Sequence, residues 1–267
     1  MKTYTSAFAA LAALLVSAGI SGAATLNPIR PTADIAIRAA AAISSTQDYL
    51  LIGQTTTAND YMRDLFSFSL PAITVPEDKT LTITSVSLVI AFDKNNATAA
   101  ETYLTLALHR LTTSFDSTAT WSNAHTDGST GAVSWTTAGG GGDYDPAVLA
   151  HTDVLANSSA DTLYTWSGTD LTSVVNTAYA SGDASINFLL KLANEGADNV
   201  RKVVQLKSVD STSSPAYPQL NITYELIDKP APAVPEPSTS TLLLAGAGLA
   251  LAAVLHPHRT VTDKNRN

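Results

Sequence analysis

Cysteine is absent from all 267 residues, which excludes a disulfide framework, a thiolate metal centre and a thiol nucleophile together. Stability must therefore come from packing and hydrogen bonding. Charge is also sparse: 14% of the residues are Asp, Glu, Lys or Arg, a composition that suits short strands and polar turns better than long solvent-facing helices. The balance is acidic, with 23 carboxylates against 15 Lys and Arg and a net charge of −8, which disfavours nucleic acid and anionic membrane surfaces as partners. An acidic polysaccharide meets the same repulsion unless a cationic cluster or bridging Ca2+ intervenes, and the basic grouping that stands out is Arg201, Lys202 and Lys207. Phosphate-binding loops, nucleophile elbows and paired metal motifs are missing. His109, His125, His151, His256 and His258 show no zinc-ligand spacing apart from the last pair.

What the chain does have is apolar content, 45% of its residues, distributed in two different ways. At the ends it comes in runs. Lys2, the apolar stretch from Ala7 to Ile20 and the small residues Ser21, Gly22 and Ala23 read as a signal peptide over 1–23, a helix cleaved after Ala23. The opposite end begins with a Pro-rich linker over 228–237, in which closely spaced prolines make a stiff extended spacer. A short apolar segment over 238–259 follows, about the minimum length for a transmembrane helix, and residues 260–267 form a tail. Val234, Pro235, Glu236, Pro237 and Ser238, the apolar span and the basic Arg259 together resemble the PEP-CTERM sorting signal. That resemblance implies a transient inner-membrane anchor, cleavage by an exosortase near Pro235–Pro237, and release to the cell surface or beyond. The ending departs from the family pattern, because Arg259 stands with two histidines in place of an arginine cluster.

In the middle, over 26–227, apolar residues alternate instead of running together. Val86, Leu88, Ile90 and Phe92 fall on one side of a strand, and Leu220, Ile222, Tyr224 and Leu226 on one side of another. Seven further segments look strand-like: 34–38, 49–53, 65–70, 104–110, 163–166, 186–192 and 203–207. About nine half-apolar strands need a second layer to cover them, so the expected fold is all-β, a jelly-roll β-sandwich. One short helix interrupts it, capped by Thr169 or Asp170, with Leu171, Val174, Val175 and Ala178 on one face and Gly182 at its end.

The order of several segments in this region resembles the DNRLRE domain: Ala33 to Arg38, Tyr49 to Gly53, Arg63 to Pro71, Ile83 to Leu88, Leu108 to Phe115, Ala119 to Asn123 and Asp170 to Val175. The glycine loop Gly139 to Asp145 after Trp135 is similar to one found in the same domains. The resemblance implies a jelly-roll sandwich of secreted and cell-wall proteins, some of whose relatives are carbohydrate-binding modules, notably toward alginate. Where the family often carries a second arginine after the first, this chain has Ser67.

Flat aromatic faces are what a protein uses to stack on sugar rings. Trp121 and Trp166 sit inside strand-like patterns and are expected in the core, whereas Trp135 and Tyr144 flank the glycine loop and are the carbohydrate-binding candidates. Asp143 and Asp145, beside four glycines, are candidate Ca2+ ligands, since a hard cation wants several oxygens and a backbone free to wrap. Asp34, Asp116 and Asp127 could supply an acid pair, but nothing specifies a glycosidase separation. The expected function is a non-catalytic, secreted or surface-displayed protein that associates with extracellular polysaccharide or matrix. A structural or adhesive protein that binds another protein is the alternative, and a polysaccharide lyase or hydrolase ranks last.

Overall fold

Alternation of apolar and polar residues favours strand structure where one face can be buried, and 13 strands form among the described residues. In the computed structural model, residues 22–43, 47–127, 131–196, 198–211 and 218–230 are described. Residues 1–21 of the signal peptide, residues 231–237 of the Pro-rich linker, the transmembrane segment and the tail fall outside the described residues. So do Pro235, Glu236, Pro237 and Arg259. Among the described residues, no helix is long and apolar enough to cross a membrane. The chain divides into two units, Met1–Asp228 and Lys229–Asn267, and every described strand belongs to the first.

Its strands are β1 (Ala24–Thr25), β2 (Ala33–Arg38), β3 (Tyr49–Gln54), β4 (Tyr61–Ser69), β5 (Lys79–Asn95), β6 (Tyr103–Leu111), β7 (Asn123–Asp127), β8 (Gly131–Ser134), β9 (Ala150–Leu155), β10 (Leu163–Ser167), β11 (Ser185–Leu192), β12 (Lys202–Lys207) and β13 (Gln219–Asp228). Eleven of them form one sheet in the order β1-β13-β5-β12-β3-β4-β11-β6-β9, with β10 on β5 and β2 on β4, while β7 and β8 make a separate hairpin. The pairings are antiparallel.

This sheet curls over on itself, and β5 is the strand that lets it. Residues Lys79 to Val89 pair with β13, Ser87 to Ala91 with β10, and Phe92 to Asn95 with β12. The registers slip by a bulge at Thr223/Tyr224 and at Gln205/Leu206, and bulges of this kind bend and twist a strand. As a result Val86, Leu88, Ile90 and Phe92 of β5 and Leu220 and Ile222 of β13 share one core with Phe66 and Phe68 of β4, Leu104, Leu106 and Leu108 of β6 and Phe188 and Leu190 of β11. Trp166 on β10, fully buried, belongs to the same core and donates its indole N–H to the Leu106 carbonyl at 3.0 Å. Its expected place in the interior is where it lies.

A second, smaller core occupies the outer face of the β2-β4-β11-β6 half. Ile35, Ile37, Leu65, Leu111 and Leu189 are covered there by Ala119, Ala124 and Trp135, with Phe115, Trp121 and Tyr144 packed around them. The chain between β6 and β9 therefore acts as a flap across one sheet face. It also explains why β4 and β11 do not alternate cleanly. Leu65 and Phe66, and Phe188, Leu189 and Leu190, are all buried, as in strands covered on both faces.

The helix, α1 (Thr169–Ser181), buries Leu171, Val175 and Ala178. Its N-cap is Gly168, without a side-chain cap, so neither Thr169 nor Asp170 caps it. Gly182 ends it at φ 74°, where the left-handed backbone lets its N–H reach the Ala178 and Tyr179 carbonyls. Two α1 side chains replace missing strand bonds: Asn176 Oδ1 accepts from Ile83 N–H at 3.0 Å, and Thr172 Oγ1 from Val86 N–H at 3.2 Å. Both N–H groups belong to the part of β5 that β10 does not reach.

Candidate functional site

The flap meets the sheet through a small set of charged and aromatic side chains. Arg63 on β4 forms a two-pronged ion pair with Glu195, Nε to Oε1 at 2.9 Å and Nη2 to Oε2 at 2.6 Å. Its remaining Nη1 donates to the Gly139 carbonyl at 2.6 Å. The guanidinium carbon also lies 5.0 Å from the Trp121 ring centroid, a cation–π arrangement. Both ionic partners are close to 10% exposed, and Lys191 adds a second cation 3.6 Å from Glu195. Burial pulls the Lys191 ammonium below the ordinary lysine range, with Glu195 opposing.

Glu195 is held in turn from the opposite direction. Gln54, buried at the end of β3, accepts from Gly196 N–H and donates to the Asp198 and Val200 carbonyls, fixing the turn that follows β11. On the far side, Gly139 sits against Trp121 at φ 79°, and a Cβ at that position would lie 2.6 Å from the indole. Glycine is required there both for the left-handed backbone and for the close approach. Trp121 is thereby clamped between the glycine loop, Arg63 and Tyr61, whose ring centroid is 6.5 Å away.

Trp121 remains half-buried, and its uncovered part lines a cleft of about 180 Å3 with Arg38, the Ala39 to Ala42 segment, Thr120 and Ser122. Arg38 is itself fixed by a two-pronged pair with Asp60, at 2.9 and 2.7 Å. The guanidinium of Arg38 holds the Asp60 carboxyl below the usual carboxylate range, helped by Thr55 Oγ1 and Ala40 N–H. The cleft thus brings together a half-buried indole, a guanidinium held by its ion pair, and small side chains.

The residues singled out in the sequence are placed differently. Trp135 is 5% exposed, packs in the outer core and donates its indole N–H to the Thr120 carbonyl at 2.9 Å, which leaves no free face for a sugar. Tyr144 is half-buried, edge-on to His109 at 4.9 Å, and His109 is kept below its ordinary pKa by burial. The Asp143 carboxylate is buried and spent as a staple, accepting from Thr113 Oγ1 at 2.8 Å, Thr136 N–H at 2.7 Å and Thr136 Oγ1 at 3.1 Å. Asp145 is exposed and accepts from Ala147 N–H at 2.9 Å. These two acids serve separate turns, and no group of three or more His or acidic residues suited to a metal occurs among the described residues. Trp121, expected in the core, packs against the outer core but stays half-buried at its rim. The available clue was Trp121 following the turn-forming Asp116 to Thr120 stretch, where a strand interior is a poor reading.

The grouping of Arg201, Lys202 and Lys207 is occupied internally as well. Arg201 donates to the Asn96 carbonyl and Oδ1, Lys202 pairs with Asp198 at 2.7 Å, and Lys207, 4% exposed, pairs with Asp161 at 2.6 Å. A larger groove, about 530 Å3, runs beside the start of α1 past Thr84, Ser85, Ser167, Thr169 and Thr172. Its lining contains hydroxyls but neither an aromatic ring nor a charge, which leaves the Trp121 cleft as the better-equipped surface.

Comparison with known families locates one match, over residues 233–259, to the PEP-CTERM protein-sorting motif. The chain carries a PEP-CTERM sorting motif. Such a motif indicates sorting to the cell surface by the exosortase pathway. No curated protein matches the chain.

Proposed function

We propose that this is a non-catalytic surface or matrix protein, sorted through its PEP-CTERM motif, whose β domain associates with extracellular polysaccharide through the Trp121 cleft. The observation that carries the reading is the clamped, half-buried indole of Trp121 beside the fixed guanidinium of Arg38, on a chain that carries a PEP-CTERM sorting motif. The curled antiparallel sheet is all-β, and the carbohydrate-binding association comes from the DNRLRE resemblance of the sequence.

Trp121→Ala is expected to lower retention on the organism's own matrix polysaccharide roughly tenfold, the order of one lost aromatic stacking contact. Circular dichroism checks that the variant is folded, and Tyr103→Ala, at an exposed tyrosine, leaves retention unchanged. Equal retention by Trp121→Ala and the parent would remove the cleft from the reading. Loss of cell aggregation with polysaccharide retention intact would favour an adhesive role toward another protein.

Processing is tested separately. Mass spectrometry of the surface-exposed protein is expected to find a C-terminus near Pro235–Pro237 and an N-terminus at Ala24, so that Ala23 and Arg259 are both absent from the mature form. Recovery of a surface form still ending at Asn267 would contradict exosortase cleavage.

A further inference from the structure

Four buried side-chain atoms have no hydrogen-bond partner among the described residues: Gln47 Oε1, Asp64 Oδ1, Asp64 Oδ2 and Gln205 Oε1. All are acceptor oxygens. Folded proteins seldom leave such atoms unsatisfied, and where they do, an ion or water belongs there.

Asp64 is the extreme case, fully buried with both oxygens orphaned. It lies on β4, opposite Ala36 of β2 and Leu190 of β11. The same register sets Asp34 opposite Phe66, which makes Asp34 and Asp64 diagonal neighbours on one sheet face, with Cα atoms roughly 7–8 Å apart. That face also carries Ala36 and Phe66, and it looks into the main core.

Asp34, 8% exposed, is oriented by Ser208 Oγ at 3.0 Å and Val209 N–H at 2.7 Å. Ser208 N–H in turn donates to the Asp48 carbonyl at 3.3 Å, which brings the neighbour of Gln47 to the same corner. The charge that acts on Asp64 is the Asp34 carboxylate, which makes its ionisation harder still.

A proton alone does not settle this corner. Protonated Asp64 would exchange an orphan acceptor for an orphan donor and leave its second oxygen as before. A divalent cation, by contrast, accepts lone pairs from both carboxylates and cancels the charge that burial penalises. We propose that Asp64 and Asp34, with Ser208 Oγ beside them, hold a Ca2+ ion inside the β domain. Calcium suits the corner better than magnesium because it tolerates irregular oxygen geometry and gives up hydration water more readily. Water completes the coordination. The site is remote in sequence from the glycine loop, and it does not depend on the carbohydrate reading of the Trp121 cleft.

The test uses the full chain, stripped with a chelator and titrated with CaCl2 at neutral pH, read by thermal unfolding and by calorimetric stoichiometry. One ion per chain is expected, with a rise in Tm of roughly 5–10 °C at a hundredfold excess over Kd. Asp64→Asn is expected to abolish the rise while unfolding no earlier than the metal-free parent, and Asp145→Asn to retain it. Ser208→Ala provides a second reading should Asp64→Asn fail to fold: the rise persists, at several-fold higher CaCl2. No calcium-dependent shift in the parent, or an equal shift in Asp64→Asn or an unchanged midpoint in Ser208→Ala, would overturn the proposal.

Discussion

Arg63→Ala is expected to destabilise the domain by about 3–5 kcal/mol, the range for removing one member of a buried ion pair and leaving the other charge behind. The reason is that Arg63 serves three partners from one guanidinium. It neutralises Glu195, satisfies the Gly139 carbonyl and supports the Trp121 ring. Its loss leaves Glu195, about 10% exposed, with Lys191 at 3.6 Å as its ionic partner among the described residues. Arg63→Lys should recover little, because an ammonium cannot span both Glu195 oxygens and the carbonyl at once. Chemical denaturation checks the prediction, and the double variant Arg63→Met/Glu195→Leu sharpens it. If burial of the unmatched charge is the main cost, the double variant is more stable than Arg63→Ala. Because Trp121 rests on Arg63, intrinsic tryptophan fluorescence should report loosening of the flap well below the main unfolding transition.

The part of this architecture legible in the sequence is the part governed by period-2 burial. Val86, Leu88, Ile90 and Phe92 announced β5, and Leu220 and Ile222 announced β13, because each presents one face to the main core. Helix α1 was legible too, through the Leu171, Val175 and Ala178 stripe and Gly182. What local pattern could not show is the outer core. Whether Trp135 or Trp121 keeps an open face depends on how the segment between β6 and β9 drapes over Ile35, Ile37, Leu65 and Leu189, a long-range event with no local signature. The aromatic beside the glycine loop became the interior one, and the tryptophan read as core became the rim of the cleft. Asp143 misled for the same reason: its threonine partners Thr113 and Thr136 come from both sides of the flap. The sorting motif was legible without any fold, since proline spacing and apolar length are properties of the chain itself.

Acid is expected to stabilise this domain when it is free of metal. Burial pushes the Asp34 carboxyl up from 3.8 to about 6, against the hydrogen bonds from Val209 and Ser208 and with added repulsion from Asp210. Burial, with Asp34 adding to it, raises Asp64 well above its ordinary value. A carboxyl whose pKa is higher in the folded than in the unfolded chain contributes its full stability below the unfolded value. That contribution is lost as pH rises through the folded value. For Asp34 the loss begins near pH 4 and is complete somewhat above 6, and a shift of this size corresponds to about 3 kcal/mol. Asp64 extends the decline to higher pH. Asp60 works in the opposite sense: its carboxyl is lowered chiefly by the Arg38 hydrogen bonds, so its contribution is present above pH 4 and fades in stronger acid. In chelator, therefore, Tm should peak near pH 4–5 and fall toward pH 8, and Asp64→Asn should flatten the fall most at its alkaline end. A Tm that climbs steadily from pH 5 to 8 in chelator would mean that the two carboxylates do not share an unneutralised interior, and the cation site would lose its physical basis with them.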